Sequence, residues 1–191
     1  DKRWSFLLTL GGLIRCFSFT LLSIKGGLFY GKPQKSISPK SLQLYACVFL
    51  ARSVSVLLDE VYKPNCRSGD WLYPLTEGLS LCLVSYAVLC TSSFTAHDQF
   101  GNRLSGKYGA ICLVVPCLVI AAYCHPTLSK MVVLDFLWSF ALYLESCAAL
   151  PQLLLFQEFS RSKPVDAWTS HFVATIGIAQ VVNTMFWVTT H

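Results

Sequence analysis

Six long apolar runs, separated by short hydrophilic breaks, constrain this chain more than any other feature. A bilayer core of about 30 Å is crossed by about 20 helical residues at a rise of about 1.5 Å each. Runs of that size recur at about residues 4–24, 41–58, 71–94, 108–124, 131–156 and 168–189. With 54% hydrophobic and only 13% charged side chains in 191 residues, a single water-avoiding core cannot hold the apolar surface. The expectation is an all-α, polytopic membrane helix bundle. Glycine and proline punctuate the breaks, Gly26, Gly27 and Pro33 in the first and Pro164 in the last, and no long linker divides the chain. It therefore reads as a single transmembrane domain over residues 1–191.

Composition removes several functions. The net charge of +5 is scattered over short breaks and makes no basic stripe with interleaved aromatics, so nucleic acid is not expected as a partner. All of the nine cysteines except Cys66 fall inside apolar runs, no Cys-x-x-Cys pair occurs, and the histidines stand at no zinc-ligand spacing from them. No metal and no cofactor is expected. No nucleophile and base converge at any recognisable spacing, so an enzyme is not expected either. The chain begins at Asp1 with no signal-peptide order, and a piece of a longer protein is expected. Lys25, Lys32, Lys35, Lys40, Arg103, Lys107, Arg161 and Lys163 lie on one side of the bundle, against Lys2, Arg3, Lys63, Arg67 and Lys130 on the other. The richer side should be cytosolic, which places the N-terminus and the break at 59–70 in the lumen or outside.

Five ionisable residues sit inside the spans: Arg15, Arg52, Glu77, Asp135 and Glu145. A charge at mid-bilayer costs about 2.5–3.5 kcal/mol even on insertion scales, so each marks a functional cavity or an internal ion pair. At 100° per residue, Asp135, Trp138, Leu142, Glu145 and Gln152 share one stripe of the fifth span. Gln180, Asn183, Thr184 and Trp187 make a second polar face on the sixth, and Arg52, Ser55 and Asp59 share a side of the second. The planar fork of Arg52 suits a carboxylate held bidentately, and an internal pair with Glu145, Asp135 or Glu77 is the rival arrangement. Pro151 should kink the fifth span near its cytosolic end.

Residues 134–152 (LDFLWSFALYLESCAALPQ) resemble the fifth helix of the KDEL receptors, the ER lumen protein-retaining receptors. Residues 37–52 (ISPKSLQLYACVFLAR) are similar to the family's second helix, the Thr-Ser-His at 169–171 to the opening of its sixth, and LVVP at 113–116 to its fourth. The resemblance implies a PQ-loop/SWEET-like bundle of seven spans, of which six are visible. The first three-helix repeat would cover about residues 4–95, a linker helix about 108–124, and an incomplete second repeat about 131–190. It further implies a cargo receptor of the endoplasmic reticulum and Golgi membranes. Such a receptor binds C-terminal tetrapeptide signals of lumenal proteins in the Golgi and returns them to the ER, and it engages the retrograde vesicle coat through a cytosolic tail.

Carried across position by position, the resemblance makes Arg52 the grip on the ligand's terminal carboxylate. Asp135 becomes the acid toward the ligand lysine, with Trp138 beside it. Glu145 becomes the buried proton-sensing acid and Trp187 the sixth-helix tryptophan. Arg15 stands where the family has its pH-responsive histidine. Ala179, Gln180, Asn183 and Thr190 stand where it has two tyrosines and two arginines, and Leu8, Ser53 and Ser55 also depart from its pattern. Arginine keeps its charge at every physiological pH, so that switch should be fixed. A PQ-loop-type small-solute transporter and a fold-retaining paralogue without peptide binding are the alternative functions.

Overall fold

The computed structural model describes residues 5–24, 37–62, 69–92, 110–162 and 167–190. Cys66, His97 and most of the orientation-setting lysines and arginines lie outside them. Among the described residues there are seven α-helices: α1 (Ser5–Ser23), α2 (Pro39–Leu58), α3 (Gly69–Ser92), α4 (Ile111–Tyr123), α5 (Val132–Ala148), α6 (Leu150–Ser162) and α7 (Ala167–Thr190). A 3-10 turn, Glu60–Tyr62, follows α2. Five segments are long and apolar enough to cross a membrane: Phe6–Ser23, Pro39–Leu58, Trp71–Cys90, Val132–Gln157 and Ala167–Thr189. The chain is a polytopic membrane helix bundle, as its composition required. The fourth apolar run is described only as the 13-residue α4, short of the span expected at 108–124, of which Tyr108 and Gly109 lie outside the described residues.

The fifth span differs from a simple kinked helix. Pro151 has no amide to donate to the turn before it, so the ladder breaks at Ala149 and restarts as α6, which runs on to Ser162 rather than ending near 156. The carbonyl of Ala148, at the break, accepts from the Ser41 hydroxyl of α2. Gln152 accepts the Ser38 amide at 2.8 Å, and Ser38 itself caps α2 by accepting the Ser41 amide at 3.4 Å, with Pro39 at the first helical position. Each helix thus satisfies backbone groups that the other's terminus or break leaves open, which a low-dielectric interior demands.

α1 packs between α3 and α7, and α2 between α3 and α5, while α4 lies against α5. Two apolar clusters result. The larger gathers Phe19, Tyr45, Phe49, Leu144 and Phe172, with Phe19 edge-on to the other three aromatic rings at 5.4–5.7 Å. The smaller, at the opposite end, holds Leu8, Val56, Tyr62, Tyr73, Leu134 and Trp138.

Small residues set the approach of α1. A Cβ on Gly11 would collide with Asn183 Oδ1 of α7, and one on Gly12 would lie 3.0 Å from Thr76 Oγ1 of α3. Overpacking a tight contact costs about 1–3 kcal/mol, so Gly11→Ala should lower the melting temperature in detergent, and adding Asn183→Ala should recover most of the loss. A neutral Gly11→Ala would show that the α1–α7 contact is looser than described.

Candidate functional site

Between the two apolar clusters lies a closed ring of four ions, one from each of four helices. Arg15 of α1 donates to Glu77 of α3 and to Glu145 of α5. Arg52 of α2 donates to the other oxygen of Glu145 and lies 3.5 Å from Glu77. The four residues are 1–3% exposed, so lipid and solvent are both excluded from them. Four helices cannot be brought to one point with a lone charge there; two cations and two acids make the point neutral.

The ring is bordered by aromatic faces. Arg15 lies over Phe49 and Arg52 over Trp138, each with its guanidinium carbon 5.7 Å from the ring centroid. Such stacking stabilises a desolvated cation by about 2 kcal/mol or more. Several polar atoms at this level are buried with no hydrogen-bond partner among the described residues: Nε of Arg15 and of Arg52, Oε2 of Glu77, and the Tyr73 hydroxyl. They leave donor and acceptor capacity unused beside the ion pairs.

The expected site is thereby divided. Arg52, Trp138, Glu145 and Arg15 come together, and the rival arrangement for Arg52, pairing with Glu145 and Glu77, is the one found. Asp135 is also buried but belongs to a different network. It accepts from the Tyr62 hydroxyl at 2.5 Å and from the amides of Leu128 and Ser129 at 3.0–3.3 Å. Ser129 in turn donates to Asp59. Asp135 is thus the anchor on which the turn before α5 is wound. Tyr62 stacks on Trp138 at 5.0 Å, so one residue links this anchor to the arginine. Burial pushes the Tyr62 hydroxyl above its ordinary range, and the Asp135 carboxylate that it faces raises it further. It therefore stays a donor.

The polar stripe of the fifth span holds: Asp135, Trp138, Glu145 and Gln152 are all buried, and Leu142 is half-buried. The face expected on the sixth is only partly so. Asn183 is buried against α1, and Gln180, half-buried, lies 3.5 Å from the Glu145 carbonyl. Thr184 points outward and donates back to the Gln180 carbonyl, and half-buried Trp187 meets Phe186 edge-on at 5.2 Å. Tyr62 was not singled out by the sequence, since it lies in a break where no periodicity applies. Glu77 stands in the sequence as an ion inside a span and one of three possible partners of Arg52, with nothing there to choose among them.

Glu145 engages both arginines through separate oxygens, whereas Glu77 uses one. Breaking a buried pair costs about 3–5 kcal/mol, so Glu145→Gln should destabilise the detergent-solubilised chain more than Glu77→Gln. The reverse order in thermal melts would refute this division of labour. Tyr62→Phe should cost about 1–3 kcal/mol by the same measurement, because Asp135 loses a donor in a buried place.

Two comparisons bear on this geometry. Residues 34–190 match the family model described as ER lumen protein retaining receptor. An ER lumen protein-retaining receptor of Drosophila melanogaster is 28% identical over 178 residues, covering 93% of this chain and 76% of the relative. One from Plasmodium falciparum is 29% identical over 181 residues, 94% of this chain and 74% of that protein. ER lumen protein-retaining receptor A of Arabidopsis thaliana is 26% identical over 178 residues, with 93% and 75% covered.

Proposed function

The chain belongs to the ER lumen protein-retaining receptor family, and on that premise we propose that it is a cargo receptor for the C-terminal tails of lumenal proteins. It would take up escaped proteins in the Golgi membrane and return them to the ER. The observation that carries this reading is the pair of buried guanidiniums, Arg15 and Arg52, already holding carboxylates at the centre of the bundle. A peptide's free C-terminus presents the same group. Arg52 adds an Nε–H without a partner among the described residues and the face of Trp138 beside it.

The ligand's remaining contacts differ from what the resemblance implies. Asp135 already accepts from the Tyr62 hydroxyl and two amides, so a ligand lysine would meet an acid engaged in holding the turn before α5. Ala179 and Gln180 supply no cation for acidic residues of the tail. Recognition then centres on the terminal carboxylate and is tolerant of the residues before it. A second reading, a paralogue that keeps the fold without binding peptides, is favoured by the closure of the ring upon itself.

Tail-peptide binding separates the two. Arg52→Ala should weaken a peptide with a free C-terminus by at least about ten-fold, the scale of one lost charge-assisted contact. Unchanged affinity would remove Arg52 from the site, and no binding to the unaltered chain would favour the second reading. Because Arg15 holds its charge throughout, affinity should stay level from about pH 5.5 to 7.2, and a histidine-like fall across that window would contradict its role.

A further inference from the structure

Glu77 has no place yet in the tail-binding account. Two guanidiniums face two carboxylates, so the ring is neutral before any ligand arrives. A tail carboxylate would add a third negative charge at the same guanidiniums, where water is excluded and an uncompensated charge is most costly. One resident carboxylate has to give way.

Geometry separates the two acids. Glu145 gives one oxygen to each arginine and ties α5 to α1 and α2 at once. Glu77 presents a single oxygen to both arginines. Its approach to Arg52, at 3.5 Å, exceeds the usual N–H···O range of about 2.7–3.2 Å. Its other oxygen is buried with no hydrogen-bond partner among the described residues. α3 is also locally weak at this point. Pro74, three residues earlier, lacks an amide, and Gly78, the next residue, costs about 1 kcal/mol relative to alanine and has open space where its side chain would be.

Resting on the tail-binding reading, we infer that Glu77 is a resident carboxylate at Arg15 and Arg52, displaced when a chain-terminal carboxylate binds. Glu77 then sets how strongly the site selects a free C-terminus, because the incoming group must out-compete it for the same guanidiniums. Glu145 remains in place and keeps the helices together. Neutralising Glu77 leaves the two cations with one acid and a net positive charge awaiting an anion.

The test uses the full chain in detergent and a labelled peptide ending in Lys-Asp-Glu-Leu, either with a free C-terminal carboxylate or amidated. Glu77→Gln should tighten binding of the free form by about ten-fold or more and leave the amidated form within about two-fold. The second substitution Glu77→Ala removes the same carboxylate with a smaller side chain and guards against an effect peculiar to the glutamine. It should shift the free form in the same direction. If the unaltered chain binds the free peptide and neither variant binds it more tightly, Glu77 is no competitor and the inference falls while the tail-binding reading stands. Equal tightening of free and amidated peptide would make Glu77 a packing residue and also overturn it. Binding of neither peptide by any of the three proteins would bring down the reading and the inference together.

Discussion

Four charges in the interior of a membrane bundle set the terms for the rest of this fold. Arg15, Glu77, Arg52 and Glu145 come from four helices and meet where neither water nor lipid reaches them. The desolvation penalty of each is several kcal/mol, and only mutual pairing with good geometry offsets it. The ring therefore fixes the rotation and depth of α1, α2, α3 and α5 together. A helix turned by one residue, about 100°, would carry its ion out of reach of both partners. Close approach at Gly11 and Gly12 and the interlock of Ser38, Ser41 and Gln152 are the packing that this constraint requires at either end.

If the ring takes a chain-terminal carboxylate, as proposed, the same arrangement links stability to recognition. A site that binds a carboxylate in a low-dielectric interior needs desolvated guanidiniums, and these must be neutralised while no ligand is present. The internal acids neutralise both guanidiniums, so under the proposed function resting-state pairing and ligand binding would draw on the same donors. Trp138 couples the ring to the Tyr62–Asp135 anchor through one stacked ring, so the outer turn and the inner cations are held as neighbours. On the proposed reading, selectivity for a chain end would follow from competition between carboxylates rather than from the side chains of the tail.

Much of this was legible in the amino-acid order, because a membrane-sized apolar run and an ion inside it are both local signals. The five ions, the inward stripe from Asp135 to Gln152 and the break at Pro151 could all be read in that way. Pairing could not, since whether Arg52 meets Glu145 or Asp135 depends on the relative depth of two spans that share no sequence neighbourhood. Asp135 shows the limit most clearly. Its position in the stripe matched the ligand-facing acid of the family, yet its partners, Tyr62 and the amides of Leu128 and Ser129, come from segments without periodicity. The extension of α6 to Ser162 is not visible in the apolar pattern, because its last turns are polar.

The most direct test of a carboxylate-centred site is the infrared spectrum of a bound peptide carrying carbon-13 at its terminal carboxylate alone. On binding to the unaltered chain, the carboxylate stretch should leave its position in water and take the value of a guanidinium-paired carboxylate. A bound peptide whose terminal carboxylate keeps its aqueous frequency would place the chain end outside the ring and contradict the account.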